Sequence, residues 1–143
     1  FDFYEARCVH ESSLSPCVHS ILAAKIGNMD KAYSLYLRTA RLDLDDYNKE
    51  AHEGLHITSM AGTWMSIVEG FGGMRIREGM LHFHPAIPGS WKSYSFKVMF
   101  RGNILNVTVE QGKTVIFNEE GGNLDVVVND RKYQVAKNSK LEI

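Results

Sequence analysis

What this chain lacks narrows its setting first. It has two cysteines, Cys8 and Cys17, too few for the disulfide framework of a small secreted domain. Cys17 lies among apolar residues at helical spacing and reads as a reduced, buried thiol. No apolar run approaches the ~20 residues of a membrane span, and the opening residues show no charged-then-apolar signal pattern. Neither sign of charge dominates: sixteen Lys and Arg stand against seventeen Asp and Glu. Nucleic acid and anionic membranes both favour basic surfaces, so neither is expected as a partner. What remains, 44% hydrophobic and 23% charged residues, is the mix of a globular protein, and a cytoplasmic location is expected. The length suits one domain, or the end of one joined to a small second one. The chain opens Phe1-Asp2-Phe3-Tyr4 without a methionine, so it is expected to be a segment of something longer.

The first half has a helical period and the second a strand period. Ser15 before Pro16 predicts an N-cap with proline at the first helical position, and Gly27 predicts the stop. Asn28 should cap a second helix carrying Ala32, Tyr33, Leu35, Tyr36 and Leu37 to about Leu42, amphipathic at three- and four-residue steps. A polar loop over residues 43–53 follows. A third helix is expected from Thr58 or Ser59 through Trp64 and Val68, buried between others and ending among Gly70, Gly72 and Gly73. From Met74 the period becomes two. Glu78-Gly79, Gly102-Asn103 and Asn129-Asp130 are turn signals between strands. Strands are predicted at 74–77, 80–83, 94–100, 104–109, 114–117, 124–128 and 131–135. Six or seven short antiparallel strands imply a small sandwich or jelly roll, with the boundary between halves near Gly72-Gly73.

Small polar residues gather before two helices, as His10-Glu11-Ser12-Ser13-Leu14-Ser15-Pro16 and as Gly54-Leu55-His56-Ile57-Thr58-Ser59-Met60. A helix N-terminus presents unpaired N–H groups and partial positive charge, and hydroxyls with a histidine beside it suit an anion. One hydroxyl per helix is enough for capping, so spacing alone leaves capping the commoner explanation. An anion held by both ends is the alternative if they converge. The six histidines have no metal-ligand pattern, because Gly54 breaks the four-residue spacing of His52 and His56. His82 and His84 should lie on the polar face of a strand. Glu5, Glu11, Asp43, Asp45, Asp46, Glu50 and Glu53 fall in no distinctive carboxylate motif, and the loop acids read as solvated or structurally hydrogen-bonded. No serine has a nucleophile-elbow context and no glycine-rich nucleotide loop occurs. Trp64 reads as a buried helix residue and Trp91 as a strand-entry residue.

The two polar segments carry a resemblance. Extended to Cys17 and to Trp64, and with Tyr36-Leu37-Arg38-Thr39-Ala40-Arg41-Leu42-Asp43-Leu44-Asp45-Asp46 between them, they closely resemble the phosphorylases of glycoside hydrolase family 65. The motifs look most like those of members acting on maltose, and they fall in order between residues 4 and 100.

The resemblance implies an α+β chain in sequence halves. Residues 1–73 would be the last helices of an (α/α)6 catalytic barrel, and residues 74–143 a jelly-roll-like antiparallel β-sandwich. It implies that phosphate attacks maltose with inversion, giving β-glucose 1-phosphate and glucose. Trehalose, kojibiose or nigerose are alternative substrates, and a non-catalytic carbohydrate-binding module is the alternative of another class. Inversion needs an acid to protonate the leaving oxygen. Phosphate is already nucleophilic and needs only to be held, whereas a base carboxylate in its place would repel it. By motif, Ser12, Ser13 and His56 carry over as phosphate contacts, with Thr58 and the backbone at Gly54 as further ones. The family's acid, a glutamate, and its Lys-Gln pair match no segment here and are expected upstream, so no catalytic residue is assigned and the chain alone should be inactive. The implied partners are an α-linked glucose disaccharide, inorganic phosphate as co-substrate, the rest of the barrel and a second subunit, with no cofactor or metal.

Overall fold

The computed structural model describes residues 1–143, the side chain of Ala51 excepted. Two compact units divide the chain, Phe1–Phe71 and Gly72–Ile143. The first is helical, with α1 (Asp2–Glu5), α2 (Ser15–Lys25), α3 (Met29–Ala40) and α4 (Ile57–Met65), the last continuing as a π-helical stretch, Ser66–Phe71. Gly27 ends α2 in the left-handed conformation, at φ 81°, where the absence of a Cβ removes the clash. The amides of Gly27 and Asn28 then return to the carbonyls of Ala24 and Ala23 at 3.0 and 2.9 Å. Asn28 starts α3 at once, its side chain accepting from the Lys31 amide at 3.2 Å.

Other helix ends differ from expectation. The N-cap of α2 is Leu14, without a side-chain cap bond. Ser15 is instead the first helical residue, and its hydroxyl is engaged by the His10 ring. α3 ends at Ala40, and α4 begins at Ile57 with His56 as its N-cap.

Small residues let these helices approach. Ala23 and Ala32 are fully buried, and Cys17, Ile21 and Leu35 are buried as well. Buried hydroxyls find carbonyls, Ser20 donating to Ala32 at 2.8 Å and Ser59 to Thr39 at 3.0 Å, which removes the cost of burying them unpaired. Gly62 sets the distance between α4 and α2, since a Cβ there would lie 2.9 Å from both Cβ and Sγ of Cys17. Large apolar side chains also face outward. Leu14, Val18, Leu22 and Ile26 follow one another at four-residue steps along α2, and Ile57, Met60 and Trp64 lie exposed along α4. Trp64 is 49% exposed, not the buried tryptophan expected, and α4 is open on that side.

In the second unit, among the described residues, eight strands form two four-stranded sheets, ordered β1-β2-β6-β7 and β3-β4-β5-β8. The strands are β1 (Arg75–Arg77), β2 (Met80–Phe83), β3 (Ser93–Phe100), β4 (Asn103–Glu110), β5 (Lys113–Glu120), β6 (Leu124–Val128), β7 (Arg131–Val135) and β8 (Lys140–Glu142). Glu78-Gly79 and Asn129-Asp130 both have positive φ at each position, the twist that two-residue hairpins require. The β3–β4 turn uses Arg101-Gly102, one residue earlier than expected, because Asn103 pairs with Phe100 as the first residue of β4. Two features depart from an all-antiparallel set of six or seven strands. β8 pairs with β5, and β2 pairs with β6 in parallel, Leu81 opposite Val126. Between β2 and β6 the chain builds three strands of the other sheet, so no hairpin constrains their direction. The core takes Leu81, Phe83, Val126, Val128 and Val135 from one sheet and Leu105, Val107 and Ile116 from the other. Phe83 and Phe96 meet across it at 6.5 Å between ring centroids. His82 alternates with the buried Leu81 and Phe83 but is half-buried with its Nε2 enclosed, rather than on an open polar face, and His84 lies exposed just past the end of β2.

Candidate functional site

The turn before α2 is built on His10. This residue has φ 56°, is buried, and has its carbonyl held by an Arg38 guanidinium nitrogen at 2.7 Å. Its Nδ1 is 2.8 Å from the Ser15 hydroxyl and its Nε2 is 3.2 Å from Glu5 Oε1. Ser12 follows on the surface, its hydroxyl accepting from the Leu14 amide at 3.3 Å while its carbonyl accepts from Ser15 at 3.2 Å. Ser13 is half-buried. Both hydroxyls therefore stand on a turn whose far end is locked.

Glu5 gathers the charges of this region. Its carboxylate accepts from His10, His19 and the Lys31 ammonium, the last at 2.6 Å. Burial pushes its pKa up, but the hydrogen bonds from Lys31, His19 and His10 outweigh this and lower it to about 2. Donor atoms of Cys8, His10 and His19 lie within 4.8 Å of one another, close enough for shared metal ligands. Hydrogen bonds already engage both ring nitrogens of His10 and Nδ1 of His19, however, and an ammonium beside the same carboxylate disfavours a second cation. The cluster is a hydrogen-bonded anchor. Sequence reasoning missed it, because Glu5, His19 and Lys31 sit on three helices with no common period.

The second segment centres on His56. Gly54 is exposed at φ 114°, and the chain then enters α4 through His56. Asp43, just past α3, grips that residue twice. Its Oδ2 accepts from the His56 amide at 2.9 Å and its Oδ1 from Nδ1 at 2.6 Å. The other ring nitrogen, Nε2, is 3.5 Å from Glu50 Oε2. The hydrogen bond to Asp43 raises the His56 pKa, with Glu50 adding to the effect, and His56 in turn lowers that of Asp43. An ionised carboxylate only accepts, so Nδ1 carries a proton in either charge state and Nε2 carries one only in the imidazolium. Thr58 is exposed in the first turn of α4, whereas Ser59 is buried and committed to Thr39.

The two segments feed α2 and α4, which touch where Cys17 meets Gly62. Among the described residues no hydrogen bond joins Ser12 or Ser13 to residues 54–58. The sequence reading treated Asp43 as one loop acid among several. Its tie to His56 spans thirteen residues and follows no helical or strand spacing.

Comparison with known proteins covers both units. Residues 1–65 match the glycosyl hydrolase family 65 central catalytic domain, and residues 74–135 match the family 65 C-terminal domain. The chain is 56% identical over 117 residues to maltose phosphorylase of Bacillus subtilis (strain 168), covering 82% of this chain and 15% of that protein. It is 44% identical over 143 residues to alpha,alpha-trehalose phosphorylase of Geobacillus stearothermophilus, covering all of this chain and 19% of that protein. A solved structure described as a putative kojibiose phosphorylase from human microbiome superposes with a TM-score of 0.93 at 42% identity, over 99% of this chain and 21% of that one. The chain thus spans about a fifth or less of the length of these relatives. It belongs to glycosyl hydrolase family 65, with one part in the family's central catalytic domain and the other in its C-terminal domain.

Proposed function

We propose that this chain is the C-terminal part of an inverting disaccharide phosphorylase, in which Ser12, Ser13 and His56 hold the attacking phosphate and Thr58 and the Gly54 backbone assist. The observation that carries this reading is His56 itself. Asp43 fixes its ring at the head of α4 and favours the charged form, so an imidazolium proton and a helix N-terminus serve one anion. Phosphate supplies the nucleophile as co-substrate without a further cofactor or metal. The acid that protonates the leaving sugar, a glutamate, belongs to the preceding part of the longer protein, so the chain alone is inactive. That part also completes an (α/α)6 barrel against the outward apolar residues of α2 and α4, while residues 74–143 form a jelly-roll-like domain. The assembly is a cytoplasmic homodimer.

Maltose is the proposed disaccharide, supported by the 56% identity to the Bacillus subtilis protein. Trehalose and kojibiose are supported more weakly, by the trehalose phosphorylase at 44% identity and the putative kojibiose phosphorylase structure at 42%. The test is phosphorolysis by the full-length protein with each disaccharide. Release of β-glucose 1-phosphate from maltose is expected. Release of free glucose alone, by water attack, would refute phosphorolysis. Ser12→Ala, Ser13→Ala and His56→Ala should each raise KM for phosphate about tenfold or more, by loss of a hydrogen bond to a charged group worth about 1.5–3 kcal/mol.

A further inference from the structure

His56 is flanked by two carboxylates that do different things to it. Asp43 is held by both the backbone amide and Nδ1 of His56, at 2.9 and 2.6 Å, and its side chain is only 16% exposed. Glu50 is a looser neighbour. It lies 3.5 Å from Nε2 with a side chain 42% exposed, and its other described contact is an amide of Asn48 at 3.3 Å. These two are the charged side chains described against the ring, one from just past α3 and one from the turns before α4. The nitrogen facing Glu50 is the one left over for a ligand, and a weakly held anion already stands there.

We infer that the two carboxylates act on phosphate in opposite senses: Asp43 is the positioning residue that aims Nε2 of His56 at the phosphate, and Glu50 is the placeholder that phosphate displaces. This rests on the reading of His56 as a phosphate contact. With Nδ1–H committed to Asp43, Nε2 can donate only from the doubly protonated ring. The neutral ring would meet a phosphate oxygen with a lone pair. Phosphate capture therefore follows the charge on His56, and Asp43 extends that charge to higher pH. Glu50 draws on the same proton, and as a solvent-accessible carboxylate 3.5 Å from Nε2 it competes with the incoming anion.

Steady-state phosphorolysis by the full-length protein, with phosphate and disaccharide each varied between pH 5.5 and 8, tests this in Asp43→Asn, Glu50→Gln and His56→Ala. Ionisation of phosphate is common to all three and cancels in the comparison. Asp43→Asn should raise KM for phosphate by about tenfold or more and move the rise of that KM with pH to lower pH, leaving KM for the disaccharide unchanged. Glu50→Gln, an exposed change that spares folding, should lower KM for phosphate severalfold at pH 6. A pH profile unmoved by Asp43→Asn, or a phosphate KM unchanged or raised in Glu50→Gln, overturns the inference while His56→Ala still weakens phosphate. If His56→Ala itself leaves phosphate KM unchanged, the phosphate reading falls and this inference with it.

Discussion

At the residue scale, Glu5 makes the sharpest demand on pH. Its carboxylate is nearly enclosed and carries three donors, and its pKa falls from 4.5 to about 2. A carboxylate depressed on folding contributes stability that is complete above its unfolded value and fades as pH falls toward the folded one. Water around the exposed Lys31 screens part of this, so the cluster should lose about 1–2 kcal/mol as pH drops through the window from about 4.5 to 2. Urea unfolding of the full-length protein along that range measures it. Glu5→Gln should destabilise at pH 7 and flatten the acid limb, because no proton is left to take up. An acid limb as steep in the variant as in the wild type would place the titrating group elsewhere.

Elements are decided by short-range rules, and two of their joints can be tested. Asn28 satisfies an amide at the head of α3. Asn28→Ala should cost about 1 kcal/mol, read as a lowered midpoint at unchanged denaturant slope. Gly62 is a contact between elements. A methyl at that position meets Cβ and Sγ of Cys17 at 2.9 Å, inside van der Waals distance, so α4 must move from α2. Gly62→Ala should cost about 1–3 kcal/mol, despite the better helix propensity of alanine. A stabilised Gly62→Ala protein would mean that the helices separate without penalty. The Gly62 joint lies between the elements that carry the serine turn and His56, so looseness there should also appear as a higher KM for phosphate.

Across the whole molecule, the informative surface is the apolar one. Leu14, Val18, Leu22 and Ile26 are 43–55% exposed along α2, although a surface helix ordinarily turns polar groups to water. If the longer protein covers this stripe, Leu22→Glu buries an unpaired charge and should lower stability by several kcal/mol. An open stripe would tolerate the change within about 0.5 kcal/mol. Differential unfolding of the full-length variant separates the two outcomes, and an unchanged midpoint would remove the support that this stripe lends to a closed barrel. Legibility varied across the molecule in the same way. Gly27 and Asn28 were readable because a stop and a cap depend on neighbours within four residues. The Glu78-Gly79 and Asn129-Asp130 turns were readable because left-handed pairs have few sequences that suit them. β8 has three residues and too little pattern to stand out.

By itself, the sequence determined whatever local chemistry or ordered motifs encode: helices then strands, the hairpins, and the family to which the Ser12-Ser13 and His56 segments point. Tertiary structure decided the partners. Ser15 left its expected capping role because the His10 ring lies beside it, and β2 paired in parallel with β6 across three intervening strands. Asp43 became the partner of His56, and Glu5 the anchor of His10, His19 and Lys31. For the strand pair, for Asp43 and for the ties of Glu5 to His19 and Lys31, the physical reason is the same. A hydrogen bond between distant residues has no period to leave in a sequence, and it forms only when packed helices or strands bring its two ends together.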